Sequence, residues 1–197
     1  NEDEIIEKVM RGHAAPAAQI PDPPTIGYNG TIKRLPYDLE MAKKLMKEAG
    51  YENGFDITLT GPNDRYVQDE KIAEAVAKYL AKIGIRVKLD VKPKAIFFPE
   101  VNQGKPDFYL IGWFDGTFDM GRTYFKLIHS RDPDRGFGGW NGTSFSDPSV
   151  DLLLESFAIA SRETDELDLV IIGDGKGNID KYSAVAARLG VAERVHF

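Results

Sequence analysis

The chain contains no cysteine, which excludes disulfide bonds, thiolate catalysis and cysteine-ligated metal sites. Its 3 histidines lie far apart and lack metal-ligand spacing, so we expect neither a metal nor a cofactor. No apolar run reaches the roughly 18 residues that a membrane-spanning helix needs. Aspartate and glutamate (31) outnumber lysine and arginine (25), and this net charge of −6 argues against a nucleic-acid partner.

The opening sequence NEDEIIEKVM is acidic and amphipathic, so we expect no secretory signal peptide within the chain. Apolar periodicity elsewhere predicts strands that alternate with helices. The predicted helices are 2–11, 39–49, 67–83, 95–102 and 148–162, and the predicted strands are 55–60, 85–91 and 108–113, the last of them buried. An Ala- and Pro-rich stretch at 14–24 is predicted to be extended. This order predicts an α/β fold with a mixed, largely parallel sheet flanked by helices.

The sequence changes character near Thr164, which divides the chain into predicted domains at 1–165 and 166–197. The second domain reads as a βαβ unit that we expect to pack onto the same sheet. Its elements are a strand at 167–172, a glycine-rich turn at 173–177 and a helix at 179–189. The turn lacks a complete phosphate-binding motif, so it is either a tight βα turn or an anion site at the start of the helix.

Aromatic and acidic residues cluster where the third predicted strand ends. Trp113, Asp115 and Asp119 follow that strand, and Trp140 lies in a glycine-rich stretch. Ligands of open α/β sheets bind outside the carboxyl ends of the strands, so these residues are candidates for contact with a small polar solute. The alternatives stay open: the carboxylates can cap turns, and the indoles can pack in the core. No cleft that would distort a substrate is identifiable, which disfavours a glycosidase-type acid and base pair.

Several arginines are candidates for bidentate binding of a ligand carboxylate. Arg65 lies in the loop after the first predicted strand, at the same edge of the sheet as Trp113. Arg122, Arg131 and Arg135 follow the third strand. Each of these arginines can equally be an ordinary surface residue.

Five segments of residues 1 to about 165 resemble family 5 of the solute-binding proteins, the receptors of peptide and nickel ABC transporters. The segments are DEIIEKVMRGHAAPA, YDLEMAKKLMKEAGYENGFDITL, IAEAVAKYLAKIGIRVKLDV, DFYLIGWFDGTFD and NGTSFSDPSVDLLLESFAIASRETD. The resemblance implies the second lobe of a periplasmic-binding-protein-like fold. It implies a periplasmic or extracytoplasmic location, no catalysis, and capture of a short peptide for a membrane permease.

The resemblance also bears on the acidic loop. In peptide-binding relatives an aspartate after Gly-Trp pairs with the amino group of the ligand. Strict spacing places that aspartate at Gly116, one residue beyond Asp115, whereas Asp119 matches the second acidic position. The first lobe of the family is missing from this chain, so we expect weak or no ligand binding and an exposed surface that promotes homodimers.

Residues 167–197 resemble a different family, the nucleotide-sugar lobe of GT-B glycosyltransferases of the family 4 type, through LDLVIIGDG and AARLGVAERVHF. The acidic pair that this family uses on its donor is absent. Three hypotheses therefore stand: a partial solute-binding protein, a glycosyltransferase fragment that binds a nucleotide sugar, and a chimeric or designed fold without native activity.

Overall fold

A computed structural model of the protein describes residues 1–160. The helices are α1 (Glu2–Glu4), α2 (Leu39–Glu48), α3 (Asp69–Ala81), α4 (Lys94–Asn102), α5 (Met120–Leu127) and α6 (Pro148–Ala160). The strands are β1 (Asp56–Pro62), β2 (Arg86–Lys92) and β3 (Phe108–Tyr109). The predicted elements at 167–172, 173–177 and 179–189 lie outside the described residues.

The predicted N-terminal helix forms, but most of it has π-helical hydrogen bonding where an α-helix was expected. Asn1 caps it by accepting a 3.2 Å hydrogen bond from Glu4 N. After α1 the chain continues as a π-helical turn at Ile5–Val9, in which Met10 N donates to Ile5 O at 3.0 Å. The Ala- and Pro-rich stretch at 14–24 contains no helix or strand, as predicted.

Helix α2 begins and ends where its sequence signals predict. The carboxylate of Asp38 accepts a 2.9 Å hydrogen bond from Met41 N, which satisfies one of the free amides of the first turn. Gly50 follows the helix with a φ of +82°, a left-handed conformation that glycine adopts without a steric penalty. Both ends of this helix are therefore set by local sequence.

The three strands form a parallel sheet in the order β2-β1-β3, which confirms the predicted parallel character. Strands β1 and β2 pair from Asp56↔Arg86 to Pro62↔Lys92. Helix α3 packs against both of these strands, and α4 packs against β1. The core contains the fully buried side chains of Leu59, Ala73, Phe97 and Val101.

The third strand is shorter and less buried than predicted. Only Phe108 and Tyr109 pair with β1, and both are half-buried, so the prediction of a buried strand over 108–113 was wrong in extent and burial. Leu110 N still donates to Thr60 O at 2.9 Å. The next bond of a parallel ladder would need an N–H from Pro62, which proline lacks, so pairing ends there.

One face of β1 and β2 carries polar side chains and forms a depression of about 880 Å³. Thr58, Lys88 and Lys105 are among its lining residues. On this face Lys92 Nζ lies 2.6 Å from Asp90 Oδ2 and 2.8 Å from Glu100 Oε2. The charges of the depression are thus largely paired with one another.

Candidate functional site

The loops that follow the strands meet at the carboxyl edge of the sheet. Tyr66, in the loop after β1, donates its hydroxyl to Gly112 O in the loop after β3 at 3.2 Å. A Cβ atom at Gly112 would lie 2.7 Å from the Tyr66 ring, so the two loops touch closely. Lys94 N, at the start of α4, donates to Asp64 Oδ1 at 2.7 Å. These contacts fasten all three loops into one rim.

Asp69 holds the loop after β1 in place, although sequence reasoning did not single it out. Its carboxylate accepts hydrogen bonds of 3.0 Å each from the backbone amides of Arg65, Tyr66 and Glu70. The residue is only 4% exposed. Burial by itself raises the pKa of Asp69, but the amide hydrogen bonds outweigh burial and hold the pKa below its ordinary value.

The structure brings the two predicted tryptophans together. The rings of Trp113 and Trp140 lie 6.3 Å apart in an edge-on arrangement, and Trp140 packs edge-on against Phe98 at 5.7 Å. Trp113 Nε1 donates to Thr123 Oγ1 at 3.1 Å. Both indoles are half-buried, so each has one surface in the protein and another that solvent reaches. They form an aromatic wall beside the rim.

The carboxylate of Asp115 is hydrogen-bonded within its own loop. Its Oδ1 atom accepts hydrogen bonds from Thr117 N at 2.9 Å and Thr117 Oγ1 at 2.6 Å. Its Oδ2 atom lies 3.4 Å from Arg122 Nε, and its side chain is only 9% exposed. The hydrogen bond from the Thr117 hydroxyl holds the pKa of Asp115 below its ordinary value, against the opposing effect of burial. The carboxylate is ionised and locally neutralised.

Asp119 is the exposed carboxylate of the same loop. It caps α5 by accepting a 2.8 Å hydrogen bond from Gly121 N through Oδ1. The backbone on either side of it pairs with Ile26: Ile26 N donates to Phe118 O at 2.9 Å, and Met120 N donates to Ile26 O at 3.1 Å. The segment after the Pro-rich stretch therefore fixes the position of Asp119.

Apolar side chains project from this rim into solvent, and sequence reasoning missed them. Phe114 is 74% exposed and Ile26 is 75% exposed. The rings of Phe114 and Phe118 lie 6.0 Å apart in an edge-on contact. The signal for them was the pair of phenylalanines within the acidic loop WFDGTFD, where no core position accounts for either ring.

The predicted arginines have different surroundings. The Arg65 guanidinium lies 5.1 Å from the centre of the Tyr66 ring, at the contact between two rim loops. Arg122 is exposed beside Asp115. Arg131 donates to Asn102 O, and Arg135 pairs with Glu155 at 2.8 Å, so both are engaged in internal structure. Of the four predicted arginines, Arg65 and Arg122 present their guanidinium groups at the rim.

A buried asparagine shapes the bend that carries Trp140. Asn141 donates its side-chain amide to His129 O at 3.0 Å and to Phe145 O at 2.7 Å. Tyr109 Oη donates to Trp140 O at 3.1 Å, which ties the bend to β3. Asn141 is only 2% exposed, so its side chain serves this bend and not the solvent-facing surface.

Within residues 1–160, no group of histidine and acidic side chains is arranged to hold a metal ion. No helix in that range is long and apolar enough to cross a membrane.

The residues gathered at the rim are a pair of aromatic rings, exposed apolar side chains, two arginines and one exposed carboxylate. Such a surface can hold a small solute by stacking and by charge-assisted hydrogen bonds.

Comparison with known proteins gives relatives over most of the chain. The heme-binding protein A of Haemophilus influenzae is 31% identical over 169 residues, which cover 81% of this chain and 29% of that protein. The dipeptide-binding protein of Escherichia coli K12 is 28% identical over 157 residues, which cover 75% of this chain and 28% of that protein. The chain thus spans less than a third of the length of these curated relatives.

A solved structure supports the same family relationship. The periplasmic binding protein DppA of Helicobacter pylori, in complex with the peptide STSA, matches with a TM-score of 0.70 and 28% identity. The match covers 84% of this chain and 31% of that one. Residues 1–135 also match the family profile described as bacterial extracellular solute-binding proteins, family 5 Middle. Since that match spans more than half of the sequence, the chain belongs to family 5 of the bacterial extracellular solute-binding proteins.

Proposed function

We propose that this chain forms one lobe of the binding site of a non-catalytic ABC-transporter receptor that captures a short peptide or a similar small solute. The receptor acts outside the cytoplasm and delivers its solute to a membrane permease. The observation that carries this proposal is the bond between Tyr66 Oη and Gly112 O, because it joins the loops of Arg65 and Trp113 into one rim. The rim lies at the carboxyl edge of the sheet, where α/β proteins bind ligands.

Asp119 and Arg65 are suited to the two ends of a peptide. The Asp119 carboxylate is exposed and accepts one hydrogen bond, at Oδ1, within the described residues, so it can take an ammonium group. Arg65 is exposed in the rim loop after β1 and can pair with a carboxylate in a bidentate manner. Opposite charges at two points would fix the direction in which a peptide lies.

Trp113 and Trp140 would line the body of the bound solute. Their edge-on contact leaves a half-buried aromatic wall, which suits apolar side chains and the flat faces of peptide groups. Asp115 and Arg122 would act together: Asp115 shapes the loop through Thr117 and holds Arg122 beside it. In this assignment Arg122 contacts the ligand, and Asp115 positions it.

The relatives favour a peptide-like solute. The Escherichia coli relative is named for dipeptides, and the Helicobacter pylori structure holds a peptide. The Haemophilus influenzae relative is named for heme, so the family scaffold accommodates more than one chemical class. Free amino and carboxyl groups at the ends of a short peptide match the charges of Asp119 and Arg65.

Intrinsic fluorescence tests this proposal directly, because the 2 tryptophans of the chain both lie at the rim. Because one lobe alone should bind weakly, titration with the peptide Ser-Thr-Ser-Ala is carried to high peptide concentration, where it should change the emission in a saturable manner. We expect Asp119→Asn and Arg65→Gln each to weaken binding about tenfold to a hundredfold, the value of a charge-assisted hydrogen bond. Arg86→Gln is the matched control, because Arg86 pairs with Asp56 at the opposite edge of the sheet.

Two outcomes would contradict the proposal. One is an emission spectrum that no short peptide alters, and the other is an equal loss of affinity in Arg65→Gln and Arg86→Gln. The same titration with UDP-sugars addresses the glycosyltransferase alternative, which rests on residues 167–197 and stays a prediction. If neither peptides nor sugars change the emission and the chain unfolds cooperatively on heating, the chimeric fold without activity is favoured. Sedimentation of the chain tests the predicted homodimer.

A further inference from the structure

A second concave surface lies between the π-helical turn Ile5–Val9 and helix α3. It encloses about 420 Å³, and we call it the basic groove. Half-buried apolar side chains form its floor, namely Ile5, Val9, Ala75 and Tyr79. A narrow groove with an apolar floor between two helical segments has the shape that accepts a third helix.

The rim of the basic groove carries a surplus of positive charge. Its cations are Lys8, Arg11, Lys71, Lys78 and Lys82, against the carboxylates Glu4 and Glu74. Glu4 is already paired with Lys8. Among residues 1–160 none of the four remaining cations forms an ion pair, and the five cations outnumber the two carboxylates that line the groove, so a net positive charge remains. This surplus stands out in a chain whose net charge is −6.

Three of these cations form a row along α3 and its C-cap. Lys71 and Lys78 lie on the helix and Lys82 follows it directly in helical backbone conformation. The spacings of seven and four residues place them on one face, over about 16 Å. Lys82 Nζ lies 4.8 Å from the centre of the Tyr79 ring, which holds this cation at the edge of the apolar floor. A linear row of cations beside an apolar strip matches a helix that carries acids beside an apolar face.

The backbone at this surface is also unusual. Arg11 and Gln68, which both line the groove, adopt left-handed conformations with φ of +53° and +58°. Gln68 is the N-cap residue of α3, and its side chain makes no capping hydrogen bond. Strained residues and π-helical turns are frequent at functional sites, and here both occur at one groove.

We propose that the basic groove docks an acidic amphipathic helix of a protein partner. Apolar residues of that helix would cover Ile5, Val9 and Tyr79, while its carboxylates would pair with the lysine row of α3. A helix is favoured over an anionic lipid surface because the groove is concave, and a flat bilayer cannot reach its floor. This surface meets the loop after β1 at Gln68, but the lysine row lies on residues outside the rim, so variants of the row test this proposal separately from solute binding.

The test uses the whole chain and a fluorescein-labelled amphipathic peptide of about 18 residues, with glutamates on one face and leucines on the other. A scrambled peptide of the same composition is the control for charge alone. The triple variant Lys71→Gln, Lys78→Gln, Lys82→Gln removes the row. The triple variant Lys43→Gln, Lys44→Gln, Lys47→Gln removes the same charge from the exposed lysines of α2.

We expect fluorescence anisotropy to show binding of the amphipathic peptide that weakens at least about tenfold in the α3 variant and hardly at all in the α2 variant. Circular dichroism must show both variants folded. The proposal is overturned by equal binding of the scrambled peptide, by equal losses in both variants, or by no binding. The chain is also tested with vesicles of equal parts phosphatidylcholine and phosphatidylglycerol. If the chain binds these vesicles through the lysine row and does not bind the peptide, the groove is a membrane-binding surface and the proposal is overturned.

Discussion

Trp113 Nε1 donates a 3.1 Å hydrogen bond to the hydroxyl oxygen of Thr123, which is 4% exposed. This bond joins the loop after β3 to helix α5 across ten residues. It also fixes the plane of the indole that faces Trp140. The orientation of the aromatic wall therefore depends on one buried hydroxyl.

Replacing Thr123 by valine should destabilise the protein by about 1–3 kcal/mol, because the indole N–H would lose its acceptor in a buried place. Thr123→Ser keeps the acceptor and loses only a methyl group, so it serves as the control. Urea unfolding followed by far-ultraviolet circular dichroism measures both. In the background of Trp113→Phe, the valine variant should cost less, because no N–H is left unpaired. Equal costs in both backgrounds would show that the bond contributes nothing.

A second prediction concerns Asp69, whose carboxylate accepts hydrogen bonds from two backbone amides of the loop that carries Arg65 and from one amide in the first turn of α3. Asp69→Asn should lower the free energy of unfolding by about 1–3 kcal/mol, because an amide group offers one acceptor oxygen where the carboxylate offers two. Glu70→Gln makes the same change of charge on an exposed neighbour and should cost little. Denaturant unfolding of the two variants side by side measures the difference.

The contribution of Asp69 also depends on pH in a defined direction. Its pKa in the folded protein lies below the ordinary value of 3.8, so the unfolded chain binds a proton first as the pH falls. The stabilisation is therefore fully present above the unfolded pKa and is lost as the pH drops through the folded pKa. Unfolding curves between neutral and acidic pH should show the stabilities of wild type and Asp69→Asn converging as the pH falls through the lowered pKa of Asp69. A constant gap would contradict this assignment.

Much of the scaffold was predictable because local signals decide it. Apolar periodicity predicted α2 and α3, and the strand–helix alternation predicted a parallel sheet. The predicted third strand was too long because its pairing depends on the neighbouring strand, where Pro62 offers no N–H. The length of β3 is therefore limited by a residue distant in sequence, and the pattern of residues within 108–113 gives no information about that residue.

The site was predictable in composition more than in geometry. The sequence indicated that Trp113 and Trp140 lie at the rim, and the structure brings their rings together. It left open whether Asp115 caps a turn, as its hydrogen bonds from Thr117 now show, and it did not indicate that Asp69 supports the loop of Arg65. Those roles arise from hydrogen bonds to nearby backbone and side-chain groups, which depend on loop conformation and have no periodic signature.

A third prediction tests the close approach of two glycines. Gly54 has a φ of +68°, and a Cβ atom there would lie 1.8 Å from Gly84 O. Gly54→Ala should cost more than about 2 kcal/mol, since backbone displacement adds to the left-handed penalty of about 1–2 kcal/mol. Gly50→Ala is the matched control, because Gly50 has a φ of +82° with no atom within 4 Å. If the urea midpoints fall equally in both variants, the cost comes from the left-handed backbone conformation alone and the contact with Gly84 O adds nothing.

The last prediction concerns the attachment of α6. Glu155 Oε1 lies 2.8 Å from Arg135 Nη1 and 3.2 Å from Nε2 of the buried His129. The hydrogen bond from Arg135, followed by that from His129, holds the pKa of Glu155 below its ordinary value of 4.5. The carboxylate therefore joins α6 to two residues that follow α5.

Glu155→Gln should speed hydrogen exchange of the α6 amides at neutral pH, because the charge-assisted contacts to Arg135 and His129 are weakened. The lowered pKa means that the attachment is present above the unfolded pKa and lost as the pH falls through the folded one. The difference in protection between variant and wild type should consequently shrink in acid, once intrinsic exchange rates are taken into account. Glu48→Gln, on exposed α2, should leave α6 unchanged, and an equal effect of both variants would contradict the assignment.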